Sequence, residues 1–166
     1  MIELLSRLVG IVLLRQGPQD LPAGQSLLPV CMALYLIVTT FSLSIGETPA
    51  NPVGLLGVAL LLPLILSWIV LRMRARVARW QQTVAALFGT SAVLSALNLP
   101  FAAQTGGDEV SAPVGLALLG IFFWKLAVDG HIWRHALDVA FSTGLAIAVV
   151  LFAVSLLVIN TFSGGL

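Results

Sequence analysis

The chain has 166 residues, of which 59% are hydrophobic and only 9% are charged, and its formal net charge is +1. Soluble domains carry about 25% charged residues, so this chain has too few polar groups to cover a surface exposed to water. This composition excludes soluble globular, disordered and fibrous proteins. The near-neutral charge, without a broad basic face, argues against a nucleic-acid partner. The sequence therefore indicates a protein that folds in a lipid bilayer.

The first residues of the chain predict an amphipathic helix. Glu3 and Arg7 form a favourable helical pair, and Leu and Ile fill the opposite face. We expect residues 1–15 to lie in the plane of the membrane at its interface. A cleaved signal peptide is the alternative, but Arg7 interrupts its apolar region and no small-residue cleavage site follows cleanly. Two prolines and a glycine in residues 17–22 then break the helix.

Five apolar segments follow, each close to the length that a helix needs to cross a bilayer. They are residues 26–45, 53–71, 82–99, 113–128 and 139–162. Pro63 lies in the middle of the second segment, where the lost hydrogen bond predicts a kink. Pro100 is expected to end the third segment and Gly130 the fourth. The sequence therefore predicts an all-α fold, a single membrane domain over residues 1–166 with five transmembrane helices and an N-terminal interfacial helix.

Half of the basic residues lie in one short connection between the second and third segments. They are Arg72, Arg74, Arg76 and Arg79. Short loops rich in Lys and Arg stay on the cytoplasmic side, which fixes the direction of every span. Arg72, Arg76 and Arg79 would share one helical face. This face is a candidate patch for an anionic lipid or a protein partner, although a topology signal with attraction to the membrane surface also explains it.

With that connection inside, all eight basic residues are predicted on the inner side of the membrane. The other inner residues are Arg7, Arg15, Lys125 and Arg134. The outer connections carry only acidic groups, namely Glu47, Asp108 and Glu109. Indole rings prefer the membrane boundary, and all four tryptophans are predicted near the inner one. They are Trp68, Trp80, Trp124 and Trp133. We expect a bacterial inner-membrane protein with its N-terminus in the cytoplasm and its C-terminus outside.

The third segment carries small residues at spacings of four, three and four. They are Ala85, Gly89, Ala92 and Ala96. Such a stripe lets another helix approach closely, because small side chains bring the two backbones together. The sequence leaves open whether that neighbour belongs to this chain or to a second copy.

A possible metal-ligand spacing occurs where the fourth segment connects to the fifth. His131, His135 and Asp138 would share one face of a helix, as helical metal ligands do. No other segment supplies a ligand, which favours polar residues at a membrane boundary, and we predict no metal and no other cofactor. The chain also lacks the nucleophile-elbow, phosphate-loop and zinc-protease motifs, so an enzyme is not predicted.

The middle portions of the five predicted spans carry no charged residue, because Lys125 is placed near the inner end of the fourth. Charges deep in a membrane usually mark a path for an ion or a substrate. Their predicted absence argues against a proton-coupled transporter. An alternative function is a small-solute transporter or channel subunit, in which Pro63 and the polar face of the third span line the path.

Four short stretches carry a resemblance to a known family. They are Arg79-Trp80, Phe123-Trp124-Lys125-Leu126-Ala127-Val128, His135-Ala136-Leu137 and Phe141-Ser142-Thr143. With an N-terminal amphipathic segment and five spans, the pattern over about residues 70–160 resembles the Yip family of membrane proteins that interact with Rab GTPases, and their prokaryotic relatives. The resemblance implies a non-enzymatic membrane scaffold or assembly factor. The leading hypothesis is a protein that binds other membrane proteins, a second copy of itself, or lipids.

A reporter enzyme that is active only outside the cytoplasm tests the predicted orientation. We expect activity when the reporter is fused after Leu166 and none when it is fused after Arg76, because the basic connection is retained inside. Enzyme activity in intact cells is the measurement. Silence at Leu166 together with activity at Arg76 would reverse the assignment.

Overall fold

A computed structural model describes residues 2–22, 24, 26–45, 51–104 and 111–162. Over these residues the chain forms six α-helices and two short 3-10 turns, with no strand. The helices are α1 (Ile2–Val12), α2 (Leu27–Ile45), α3 (Pro52–Met73), α4 (Trp80–Ala102), α5 (Ala112–Leu137) and α6 (Phe141–Phe162). The predicted all-α fold is confirmed, and α2 to α6 are each long and apolar enough to cross a membrane. Glu47, Asp108 and Glu109 lie outside the described residues, as do residues 163–166.

Helix α4 is the central element of the bundle, in contact with α1, α2, α3 and α5. Of the predicted stripe on this helix, Ala85, Gly89 and Ala92 are buried and Ala96 is exposed. A Cβ atom added at Gly89 would lie 2.5 Å from Cδ2 of Leu8 and 3.3 Å from Sγ of Cys31. Small residues therefore let α1 and α2 approach α4 within this chain.

Helix α1 packs into the bundle along one face. The side chains of Leu8 and Ile11 are fully buried in the main apolar cluster. The indole of Trp124 on α5 donates a hydrogen bond to the carbonyl oxygen of Val12, 3.0 Å away, at the end of α1. On its other face α1 exposes apolar side chains, those of Ile2, Leu5 and Val9. The amphipathic helix is thus shorter than the predicted residues 1–15, and one of its apolar faces packs inside the protein.

The predicted helix stop at Gly130 is wrong, because α5 continues through this residue to Leu137. Gly130 lies where α6 crosses α5 at close range. A Cβ atom at Gly144 of α6 would lie 2.3 Å from the carbonyl oxygen of Gly130, and one at Gly130 would lie 2.9 Å from the Cα of Leu145. The two glycines bring the two backbones into direct contact, a common use of glycine in membrane helices.

The third span also continues beyond its predicted end. Helix α4 includes Pro100 and ends at Ala102. A proline removes only one backbone donor, and a helix in a membrane tolerates that loss when the freed groups find other partners. Likewise, α3 runs without interruption through Pro63.

The close contact at Gly144 leads to a testable prediction about the stability of the protein. Replacing a helical glycine by alanine normally stabilises a helix by about 1 kcal/mol. At Gly144 the added methyl group meets backbone atoms that cannot rotate away. We expect Gly144→Ala to lower the free energy of unfolding in detergent by about 1–3 kcal/mol, the usual cost of overpacking.

The matched control is Gly120→Ala in α5, where an added Cβ meets no atom within 4 Å. This variant should be as stable as the parent or slightly more stable. Equal unfolding free energies for the two variants would show that α5 and α6 do not approach each other as closely as described.

Candidate functional site

The candidate site contains an ion pair near the middle of α5. Lys125 lies about 20 Å along the helix from Ala112 and about 18 Å from Leu137, at 1.5 Å per residue. The predicted pairing of Lys125 with Asp129 is confirmed. Lys125 lies farther from the end of its helix than the sequence predicted, because α5 does not stop at Gly130. The neighbouring Trp124 is displaced toward the middle of the helix for the same reason.

The ion pair leaves one oxygen atom unused. Nζ of Lys125 donates a hydrogen bond to Oδ2 of Asp129. Oδ1 of Asp129 is buried and has no hydrogen-bond partner among the residues that the structure describes. The side chains of Lys125 and Asp129 are 31% and 18% exposed. A buried acceptor without a partner costs about 1–3 kcal/mol, so this oxygen is a strong potential acceptor.

The ion pair borders a cavity of about 330 Å³ between α3, α4, α5 and α6, with Tyr35 of α2 on one side. Most of the lining is aliphatic or aromatic, including Phe88, Trp133 and Phe152. Four hydroxyl groups add a polar strip, those of Ser67, Ser91, Ser95 and Ser155. Pockets for small molecules have about 300–1,000 Å³ and the same pattern, an apolar lining with a few polar groups.

The cavity extends away from the ion pair along α6. Because Gly144 lies against Gly130, the part of α6 that faces Asp129 is near its start. The residues of α6 that line the cavity run from Ala148 to Ile159, a rise of about 16 Å. The charged groups therefore lie at one end of a long apolar space. This shape suits a molecule with a polar head and an apolar body.

The arginine connection does not form the predicted helical face. Helix α3 ends at Met73, and Ala75 adopts a left-handed conformation with φ of 53°, which turns the chain. The guanidinium of Arg72 lies over the ring of Trp68, 4.9 Å from its centroid. Arg76 and Arg79, in contrast, reach across to the end of α5. The arginines therefore do not lie on one helical face.

Asp138 is the residue that holds Arg76 and Arg79. Its Oδ2 lies 2.8 Å from Nη1 of Arg76 and 3.0 Å from Nη1 of Arg79. Nη1 of Arg79 also donates hydrogen bonds to the carbonyl oxygens of His135 and Ala136, at 2.9 and 3.3 Å. A cation at these free carbonyl groups satisfies the end of α5. We call this end of the bundle, with the Arg72–Arg79 connection and Asp138, the arginine end.

The two histidines and Asp138 are not brought together as one metal-binding face. The rings of His131 and His135 contact each other edge to face, with centroids 4.5 Å apart. Nε2 of His131 donates to the carbonyl oxygen of Gln16, 3.0 Å away. Asp138 lies beyond the helix in a left-handed conformation and points to the arginines. Within the described part of the chain, no group of three His, Cys, Asp or Glu residues could hold a metal ion.

The fold and the cavity define a helical membrane protein with five candidate spans and an ion pair inside the bundle. Comparison of the chain with protein-family models, with curated proteins and with solved structures finds no match. Of the site residues that the sequence singled out, Arg76, Arg79 and Gly89 form contacts between elements of the bundle. From the sequence, Lys125 and Asp129 were predicted only to pair along one helix. One feature could have indicated a binding site, because Lys125 is the chain's one lysine and lies in an apolar run.

The contact of Asp138 with two arginines predicts a pH-dependent stability. The hydrogen bond from Arg79, followed by the charges of Arg79 and Arg76, holds the pKa of the Asp138 carboxyl below its usual value. A lowered pKa means that the stabilisation is present above the unfolded-state pKa, about 3.9, and is lost as pH falls through the folded-state pKa. Asp138→Asn keeps a residue that tolerates the left-handed conformation but removes the charge.

We expect the parent to have a higher melting temperature than the Asp138→Asn variant at pH 7, and the difference to disappear as pH falls below about 4. Thermal unfolding in detergent across this pH range is the measurement. Glu3→Gln is the control, since Glu3 forms only a 3.5 Å pair with Arg7 and is 74% exposed. If the melting temperatures of the parent and Asp138→Asn differ by the same amount at every pH, Asp138 stabilises the protein through its backbone conformation and not through its charge.

Proposed function

We propose that this membrane protein binds an amphiphilic molecule from the bilayer in the cavity beside Lys125 and Asp129. The observation that carries the proposal is the ion pair at mid-helix at one end of a long apolar cavity. Ionisable residues within membrane helices are costly and usually belong to a substrate or ion site.

Stability alone does not account for this ion pair. A buried pair is often no more stabilising than well-packed apolar residues of the same volume, because both charges lose their hydration. Here the loss is larger, since Oδ1 of Asp129 accepts no hydrogen bond from the described residues. A ligand that supplies the missing donor would recover this free energy, so the arrangement favours a binding role.

The lining favours an amphiphile over a fully polar solute. Beyond the ion pair and the serines, the walls consist of apolar side chains such as Leu62, Leu66 and Leu156. A polar solute would lose its water there without gaining enough hydrogen bonds. A molecule with an apolar chain is already dissolved in the membrane, and it loses little when it enters between the helices.

The scaffold role implied by the Yip-like pattern receives less support from the packing. Gly89 of the small-residue stripe is covered by α1 and α2, and Arg76 and Arg79 are engaged by Asp138. The part of the leading hypothesis that the cavity supports is lipid binding.

A second candidate function is a carrier for a small solute. The hydroxyl groups of Ser67, Ser91 and Ser95 favour it, because they border the same space as Lys125 and Asp129. Flux into liposomes would separate the two functions. A carrier moves solute across the membrane, whereas a binding protein retains its ligand.

Photolabelling tests the proposed function. The protein is reconstituted in liposomes with a lipid that carries a diazirine in its acyl chain, and labelled residues are located by mass spectrometry. Phe88 and Ala148 line the cavity and are only 2% and 4% exposed, so they are labelled only if a chain enters. Phe123, which is 59% exposed, serves as the reference for contact with bulk lipid.

We expect label on Phe88 in the parent and about tenfold less in Ala148→Phe, since filling the cavity should remove about 1.4 kcal/mol of binding free energy or more. Label on Phe123 should not change between the two proteins. Label confined to exposed positions such as Phe123 in the parent would refute the proposed function.

A further inference from the structure

We infer that the head of the bound amphiphile is a zwitterion with a primary ammonium and an anionic oxygen, as in a phosphoethanolamine lipid, held between Asp129 and Lys125. This inference rests on the proposed function and adds to it the chemical class of the ligand. It follows from the charge balance of the cavity and from the hydrogen-bonding groups that the ion pair leaves free.

The charge balance requires a head without net charge. Lys125 and Asp129 are the charged residues among those that line the cavity, and their charges cancel. A cationic or an anionic ligand would leave one charge uncompensated between the helices. Such a charge is strongly unfavourable in a medium of low dielectric constant. A head with both charges, or with none, avoids this cost.

The free hydrogen-bonding groups select the zwitterion from the neutral heads. Oδ1 of Asp129 is buried and accepts no hydrogen bond from the described residues, so it needs a donor. The Lys125 ammonium has three donors and gives one to Oδ2 of Asp129, so it can serve an acceptor on the ligand. Charge-assisted hydrogen bonds are about twice as strong as neutral ones, which favours an ammonium and a phosphate over a hydroxyl.

The same groups distinguish a primary ammonium from a quaternary one. A trimethylammonium group has no N–H and cannot donate to Oδ1 of Asp129. Oδ2 of Asp129 is taken by Lys125, so the ammonium of the ligand is assigned to Oδ1 and its anionic oxygen to the remaining donors of Lys125. The apolar chain then follows α6 from Ala148 toward Ile159, where the lining is mainly apolar.

The test uses three photoreactive lipids with the same acyl chains and different heads. They are phosphoethanolamine, phosphocholine and phosphoglycerol. Each is added to liposomes of the other two, unlabelled lipids in equal amounts, and label on Phe88 is measured relative to label on Phe123. We expect the phosphoethanolamine lipid to label Phe88 about tenfold more than either of the others. Water-soluble phosphoethanolamine should not compete, because it has no chain to fill the cavity.

Two variants of the ion pair sharpen the test. In Asp129→Asn the preference for phosphoethanolamine over phosphocholine should fall to about twofold or less, since the carboxylate is lost. The double variant Lys125→Asp/Asp129→Lys keeps the zero net charge but removes the carboxylate from position 129, so it should also lose the preference, whereas Gly120→Ala, outside the cavity lining, should keep it. Melting temperatures show whether each variant is folded. If Asp129→Asn fails to fold, the comparison of the three lipids in the parent still tests the inferred head group.

The outcomes separate this inference from the proposed function. If no lipid labels Phe88, the proposed function fails and the inference fails with it. If Phe88 is labelled equally by all three lipids, or best by phosphoglycerol or phosphocholine, the cavity binds amphiphiles but the inferred head is wrong. An unchanged preference in folded Asp129→Asn would overturn the role assigned to that carboxylate.

Discussion

The direct backbone contact between Gly130 and Gly144 is the constraint on which the rest of the structure depends. Lipid offers no hydrophobic driving force between helices, so close packing must hold them together. This contact keeps α5 helical beyond the residue where a glycine could have ended it. The added turns place Lys125 and Asp129 near the middle of the helix and bring Asp138 to the arginines. One close approach thus positions both the cavity and the arginine end.

The cavity exists because the five long helices pack unequally. Helix α4 contacts α2 extensively and α5 contacts α6 extensively, whereas α3 has fewer contacts with its neighbours. The indole of Trp80 fastens α3 to the start of α4 through the carbonyl oxygen of Leu64, 3.2 Å away. The cavity lies on both sides of this hydrogen bond, between α3, α4 and α6. If α3 packed tightly against its neighbours, no space for a ligand would remain beside the ion pair. The loose packing of α3 is therefore required for the cavity.

Local patterns in the sequence were sufficient for the five apolar helices and for the pairing of Lys125 with Asp129. They were not sufficient for Gly130, because its role depends on Gly144, which lies on another helix. The stripe with Gly89 and the basic residue Arg79 illustrate the same limit. From the sequence, Gly89 and Arg79 can each be recognised as a contact residue, but the residue that each one contacts depends on the tertiary fold. The unused oxygen of Asp129 depends on how four helices are arranged, which no short stretch of sequence specifies.

The docking of α1 has a practical consequence for handling the protein. Trp124, which holds the last carbonyl group of α1, is the immediate neighbour of Lys125. Leu8 and Ile11 anchor the same helix in the core, so α1 and the turn of α5 that carries the ion pair form one packed unit. An affinity tag or a truncation that displaces α1 would disturb the cavity from a distance. Purification handles for ligand studies are therefore better attached at the other terminus.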